Sequence, residues 1–100
     1  MKNKIETIAG HYTFDKQRAV FVEECAEAIQ AVCKLERAAE KSTEAYSSAV
    51  EALISEVADI IIMAEQMRIY LGRERVDNEC KRKLDRQIQR IREEQGNENT

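Results

Sequence analysis

A stretch of one hundred residues with no proline and only three glycines gives the backbone almost nothing that would interrupt a helix. Alanine, glutamate, lysine, arginine, isoleucine and glutamine dominate the rest, and three tyrosines and two phenylalanines are the whole aromatic complement. Helix breakers are therefore missing and helix formers abundant, and the expected class is all-α. The expected architecture is a helical bundle in which two long antiparallel helices are central and shorter helices flank them. A chain this short buries only about 60 to 65% of its unfolded surface when it folds alone, so a larger core calls for a second subunit.

The apolar spacing divides the chain into four helical segments. Ile5, Ile8 and Tyr12 mark a short amphipathic opening piece that Gly10 is expected to fray, before Thr13 and Asp15 offer helix-starting oxygens. From about Lys16 to Ala39, Val20, Phe21, Cys25, Ile29, Val32 and Cys33 recur at helical intervals, and the polar stretch Glu40 to Glu44 ends that helix. Ser48 followed by Glu51 reads as a capping box opening a third helix, apolar almost all round, that closes at Gly72. Asp77 or Asn78 then caps a fourth, with a narrow stripe of Cys80, Leu84, Ile88 and Ile91 among basic residues. These segments predict one helical domain over residues 1–95 and a disordered tail over 96–100.

Charge and cysteine content narrow the function classes. The net charge is -3 and both signs are interspersed, so the broad basic surface that drives duplex nucleic-acid binding is missing, and no nucleic-acid polymer is expected as a partner. Cys25, Cys33 and Cys80 are odd in number, and the first two lie about 12 Å apart along one helix, too far to bridge. They read as reduced, buried thiols of a cytoplasmic protein. No apolar run approaches the roughly 18 residues of a membrane span, so neither an anchor nor a signal peptide is expected.

The acids carry the chemistry. At about 100° of rotation per residue, Glu24 falls between Val20, Leu35 and Phe21, inside the apolar arc of its helix, with Glu27 at the edge of that arc. Glu23 lies further round, beside Gln30 and Lys34, on the watered side. Glu56 is flanked within about 40° by Ala49, Ile60, Met63 and Met67, and Asp59 sits one turn on. Carboxylates buried in such company either take up a proton or demand a compensating positive charge. Two acids spaced i, i+3 share one side of a helix, so a pair from each of two antiparallel helices can converge on one divalent cation. An all-oxygen donor set suits Mg²⁺, with Mn²⁺ as a possible substitute, and the single histidine, His11, argues against zinc. The competing reading is a salt-bridge stripe, or acids neutralised by a partner subunit's lysine or arginine.

The string Glu23-Glu24-Cys25-Ala26-Glu27, followed by Glu56-Val57-Ala58-Asp59, resembles the E-E-x-x-E and E-x-x-D signature of MazG-like, all-α nucleotide pyrophosphohydrolases. The resemblance runs from about Gln17 to Ile91 and includes Lys83-Leu84-Asp85-Arg86. It implies hydrolysis of a nucleoside or deoxynucleoside triphosphate to the monophosphate and pyrophosphate, with Mg²⁺ held by Glu24, Glu27, Glu56 and Asp59. Glu23 or Glu27 would accept the proton of the attacking water. Lys83 and Arg86 would reach phosphate oxygens, Gln17 would face base or sugar, and Lys81, Arg82 and Arg90 would form a solvated basic face. The chain carries one copy of the motif, and residues 28–55 between its halves are at the long end. Base specificity is not fixed by the motif. Two alternatives stand beside this one: a non-enzymatic helical oligomer acting as an interaction module, and a related pyrophosphatase acting on a phosphoribosyl nucleotide. Either way a homo-oligomer, dimer or tetramer, is expected from the apolar girth of the third helix.

Overall fold

The structure, a computed structural model, describes residues 2–98. These form four α-helices and no strand: α1 (Lys2–His11), α2 (Phe14–Ala38), α3 (Thr43–Leu71) and α4 (Arg73–Glu98). No helix among the described residues is long and apolar enough to cross a membrane. The chain divides into two units, Met1–Tyr70 and Leu71–Thr100.

Local chemistry explains where the helices begin and end, and it corrects four expected boundaries. Thr13 caps α2 as anticipated, its hydroxyl accepting from the Lys16 amide at 3.2 Å. Gly10 does not fray α1, which continues through His11. The third helix begins at Thr43, five residues before Ser48, because Ser42 already supplies a cap: its Oγ accepts from the Ala45 amide at 3.1 Å. With no breaker between Thr43 and Ser48, the Ser48–Glu51 pair falls inside the helix. At the far end Gly72 adopts φ +108°, a left-handed conformation that closes α3 without a Cβ penalty. The chain turns on that one residue and α4 starts at once, so Asp77 and Asn78 lie within the helix rather than capping it. Gly96 does not end α4 either: the expected tail is helical as far as Glu98, and its last residues, Asn99 and Thr100, lie outside the described residues.

In the first unit α2 and α3 run alongside each other in opposite directions. Gln17, early in α2, donates from Nε2 to Gln66 Oε1, late in α3, at 2.7 Å. At the other end of the pair, Ala31 and Ala38 of α2 share a cleft with Ala45, Ala49 and Ala52 of α3. The opening helix is tied down by Tyr70, whose hydroxyl donates to the Ala9 carbonyl at 2.6 Å and whose ring lies 5.5 Å from that of Phe14. The buried apolar core of the described residues is thin: Ile5, Ala9, Ala31, Ala38, Met63 and Met67. Much of the apolar girth of α2 and α3 is left exposed, Val22, Ile29, Ile54 and Ile61 among it.

The second unit is α4, whose described side chains are exposed apart from a half-buried Val76. Its surface carries i, i+3 and i, i+4 ion pairs, Arg82–Glu79 at 2.8 Å and Lys81–Asp85 at 3.0 Å, of the kind that adds a few tenths of a kcal/mol each. The Arg82 guanidinium, bonded to Glu79, holds that carboxyl below its usual range. Leu84, Ile88 and Ile91 lie exposed at helical spacing. The three cysteines are free, but Cys33 and Cys80 are exposed and Cys25 half-buried. The expectation of buried thiols fails for two of them, which lie on exposed faces of α2 and α4.

Candidate metal centre

Glu24 and Glu27 project from one side of α2, and Glu56 from the facing side of α3. One carboxylate oxygen from each lies within 4.8 Å of the other two. Asp59 joins them, one turn beyond Glu56, close enough for its charge to raise the pKa of both Glu24 and Glu56. The four acids singled out from the sequence therefore come together. Glu24, Glu56 and Asp59 are half-buried and Glu27 is exposed, which gives the cluster a shielded inner end and a wet outer one.

The inner end holds the electrostatic conflict. Glu24 Oε2 and Glu56 Oε2 are shut off from solvent and reach no hydrogen-bond partner. Desolvation raises the Glu24 carboxyl above its ordinary value of 4.5, and repulsion from Glu27, Asp59 and Glu56 raises it further. Glu56 is raised in the same way, first by desolvation and then by Glu27 and Asp59, with Lys34 pulling it partly back. Orphaned buried oxygens are rare in folded proteins and usually mark a missing partner. Either a shared proton or a cation can relieve this one.

A hard divalent cation fits the donor set. Ligands opposite each other in an octahedral Mg²⁺ shell are about 4.2 Å apart, and Mn²⁺ takes the same carboxylate ligands, so an oxygen spacing of up to 4.8 Å closes with a small side-chain adjustment. The three donors that approach one another are carboxylates, as is their electrostatic neighbour Asp59, with neither imidazole nor thiolate in the group.

The remaining site residues are distributed unevenly. Glu23 is exposed, as its helical angle predicts. Lys83 and Arg86 are exposed on α4, in the second unit. Gln17 is only 5% exposed and spends its amide nitrogen on Gln66, itself 1% exposed, whose own nitrogen points to Met63 Sδ at 3.5 Å. That amide pair sits two turns from the acids on each helix and holds α2 and α3 in register beneath them. Gln66→Leu is expected to leave the Gln17 amide buried and unpaired, destabilising the fold by about 1–3 kcal/mol in a urea titration. A loss below a few tenths would mean that the pair contributes no register.

Two residues of this neighbourhood escape a reading of the acids alone. Gln66 lies seven residues beyond Asp59, on the acids' own face, and that spacing was the available signal. Lys34 stands seven residues past Glu27; its exposed ammonium is on the watered side as expected, yet its charge reaches Glu56. Compared with protein-family models, curated proteins and solved structures, the chain matches none.

Proposed function

We propose that the chain is a Mg²⁺-dependent nucleoside triphosphate pyrophosphohydrolase of MazG-like type, releasing a nucleoside monophosphate and pyrophosphate. The observation that carries the reading is the pair of buried, partnerless oxygens, Glu24 Oε2 and Glu56 Oε2, in a cluster of Glu24, Glu27 and Glu56 on two facing helices with Asp59 beside it. Glu24, Glu27, Glu56 and Asp59 would hold the cation, Mg²⁺ or in its place Mn²⁺. Bound there, it supplies charge neutralisation to the phosphates and electrophilic activation of the phosphorus under attack.

The chain's own residues divide the remaining work. Glu27 or Glu23 would accept the proton of the attacking water; both are exposed, Glu27 within the cluster and Glu23 on the adjoining face. Lys83 and Arg86 of α4 are the phosphate contacts that the resemblance implies. Any role for Gln17 in holding base or sugar runs through the amide pair with Gln66. In this reading α2 and α3 are the central antiparallel pair of a bundle that a second copy completes, and the protein works in the cytoplasm on a small nucleotide.

Pyrophosphate release, measured across the common ribo- and deoxyribonucleoside triphosphates with Mg²⁺ and again in chelator, tests the proposal. At least one triphosphate is expected to give monophosphate and pyrophosphate in strict dependence on the metal. Formation of the diphosphate with orthophosphate would move the attack to the terminal phosphorus and reject the reading. Cleavage confined to a phosphoribosyl nucleotide would shift the substrate class.

A further inference from the structure

At the closed end of the α2–α3 pair, where Ser42 leads into α3, lies an open cleft of about 360 Å³. Its floor is made of five alanines, two of which, Ala31 and Ala38, are buried. Its rim carries Lys34, Arg37, Lys41 and Ser48. The acids that alternate with these cations in the sequence, Glu36, Glu40 and Glu44, do not line it. Among the described residues, none of the three cations has an ion pair within the chain. Three cations and a hydroxyl thus line one concave surface whose small side chains let a ligand approach the helices closely.

The cleft adjoins the acid cluster. Ala31 follows Glu27 by one turn of α2 and Ala52 precedes Glu56 by one turn of α3, about 6 Å along each helix. Lys34 belongs to both places: it lines the cleft and its charge acts on Glu56. We propose that this cleft is an anion subsite for oligophosphate, binding the terminal phosphates of a nucleotide, or free pyrophosphate, through Lys34, Arg37 and Lys41. Three cations without a close ion pair, of which only Lys34 feels an acid of the neighbouring cluster, match a ligand carrying several negative charges close together, and the Ser48 hydroxyl adds a donor to its oxygens. The oligophosphate chemistry stands on the cleft alone, while its part in catalysis rests on the function proposed above. If both hold, the leaving pyrophosphate is gripped from α2 itself, and the scissile phosphorus lies toward the acids.

Calorimetric titration of the intact protein with inorganic pyrophosphate in chelator separates the two ideas, because no metal is then available to the acids. The parent is expected to bind, more weakly as salt is raised. Arg37→Gln with Lys41→Gln, exposed positions remote from the acids, should weaken binding about tenfold at an unchanged melting temperature, from a few-fold per exposed charge pair. Arg90→Gln with Arg92→Gln, exposed positions of α4 outside the proposed site, should leave binding as it was. No uptake by the parent, or equal uptake by the Arg37 and Lys41 double variant, overturns the subsite. Pyrophosphate binding without any triphosphate cleavage would keep the subsite and sink the enzymatic reading.

Discussion

Glu56→Gln is expected to abolish turnover while making the metal-free protein harder to unfold. The two effects share one cause. The Glu56 carboxyl is desolvated and faces Glu27 and Asp59, so in the absence of a cation its charge is a burden on the folded state. A neutral amide of nearly the same shape removes that burden. It also removes one of four anionic oxygens from the proposed metal shell, and activity should fall by at least about a hundredfold. Thermal unfolding in chelator and in Mg²⁺ reads both effects: the parent gains stability from the metal, and the variant starts higher and gains little. If the variant instead melts lower than the parent in chelator, Glu56 has been serving a structural ion pair, and the helical interaction module becomes the better description.

The same electrostatics set the sign of a pH effect. Glu24 and Glu56 both titrate above 4.5 in the folded state, so folded protein holds more protons than unfolded protein in the range just above that value. The stabilisation they contribute is complete below 4.5 and is lost as pH rises through their raised values. Metal-free protein should therefore melt higher as the pH is lowered from neutrality towards 4.5. With saturating Mg²⁺ the trend should flatten or reverse, since protons and cation compete for the same oxygens.

The acids were legible in the sequence because burial of a charge is a strong anomaly: Glu24 between Val20 and Phe21, and Glu56 between Ile60 and Met63, stand out wherever a helical wheel is drawn. Their neighbours behave accordingly, with Met63 and Met67 buried and Val20, Phe21 and Ile60 half-buried. Helix boundaries were less legible, since the cues compete. Ser48–Glu51 satisfies the capping-box pattern as well as Ser42 satisfies a simple cap, and only the absence of a breaker between them decides for the earlier start. Gly96 illustrates the same limit: an exposed glycine costs a helix about 1 kcal/mol, too little to stop one that is already running. The cleft cations were invisible for a different reason. Lys34, Arg37 and Lys41 read as ordinary surface charges until the partner helix supplies the alanine floor between them.

A molar mass of at least twice 11.5 kDa is expected in light scattering coupled to size exclusion, with no folded monomer at micromolar concentration. The buried core of the described residues is six apolar side chains, three of them alanines, whereas Val22 and Ile29 on α2 are each about two-thirds exposed and Ile54, Val57 and Ile61 on α3 about half. Ile54, Val57 and Ile61 follow the i, i+3, i+7 rule and make one continuous stripe along α3; Val22 and Ile29, seven residues apart, start another on α2. Two such stripes exceed the scattered apolar residues normal on a monomer's surface and match a face that another chain covers. Isologous pairing would bury each stripe twice, in an interface expected to pass 2,000 Å² and to be obligate in character. At about 25 cal/mol per Å², even 1,000 Å² of apolar surface withdrawn from water outweighs the roughly 5–15 kcal/mol that holds a small domain together. Placing one charge in the stripe, Ile61→Glu, should therefore cost both the higher mass and most of the helical circular dichroism, with unfolding that depends on protein concentration in the parent. A well-folded species of 11.5 kDa, in the parent or in this variant, would show that the chain covers its own apolar surface and needs no second copy.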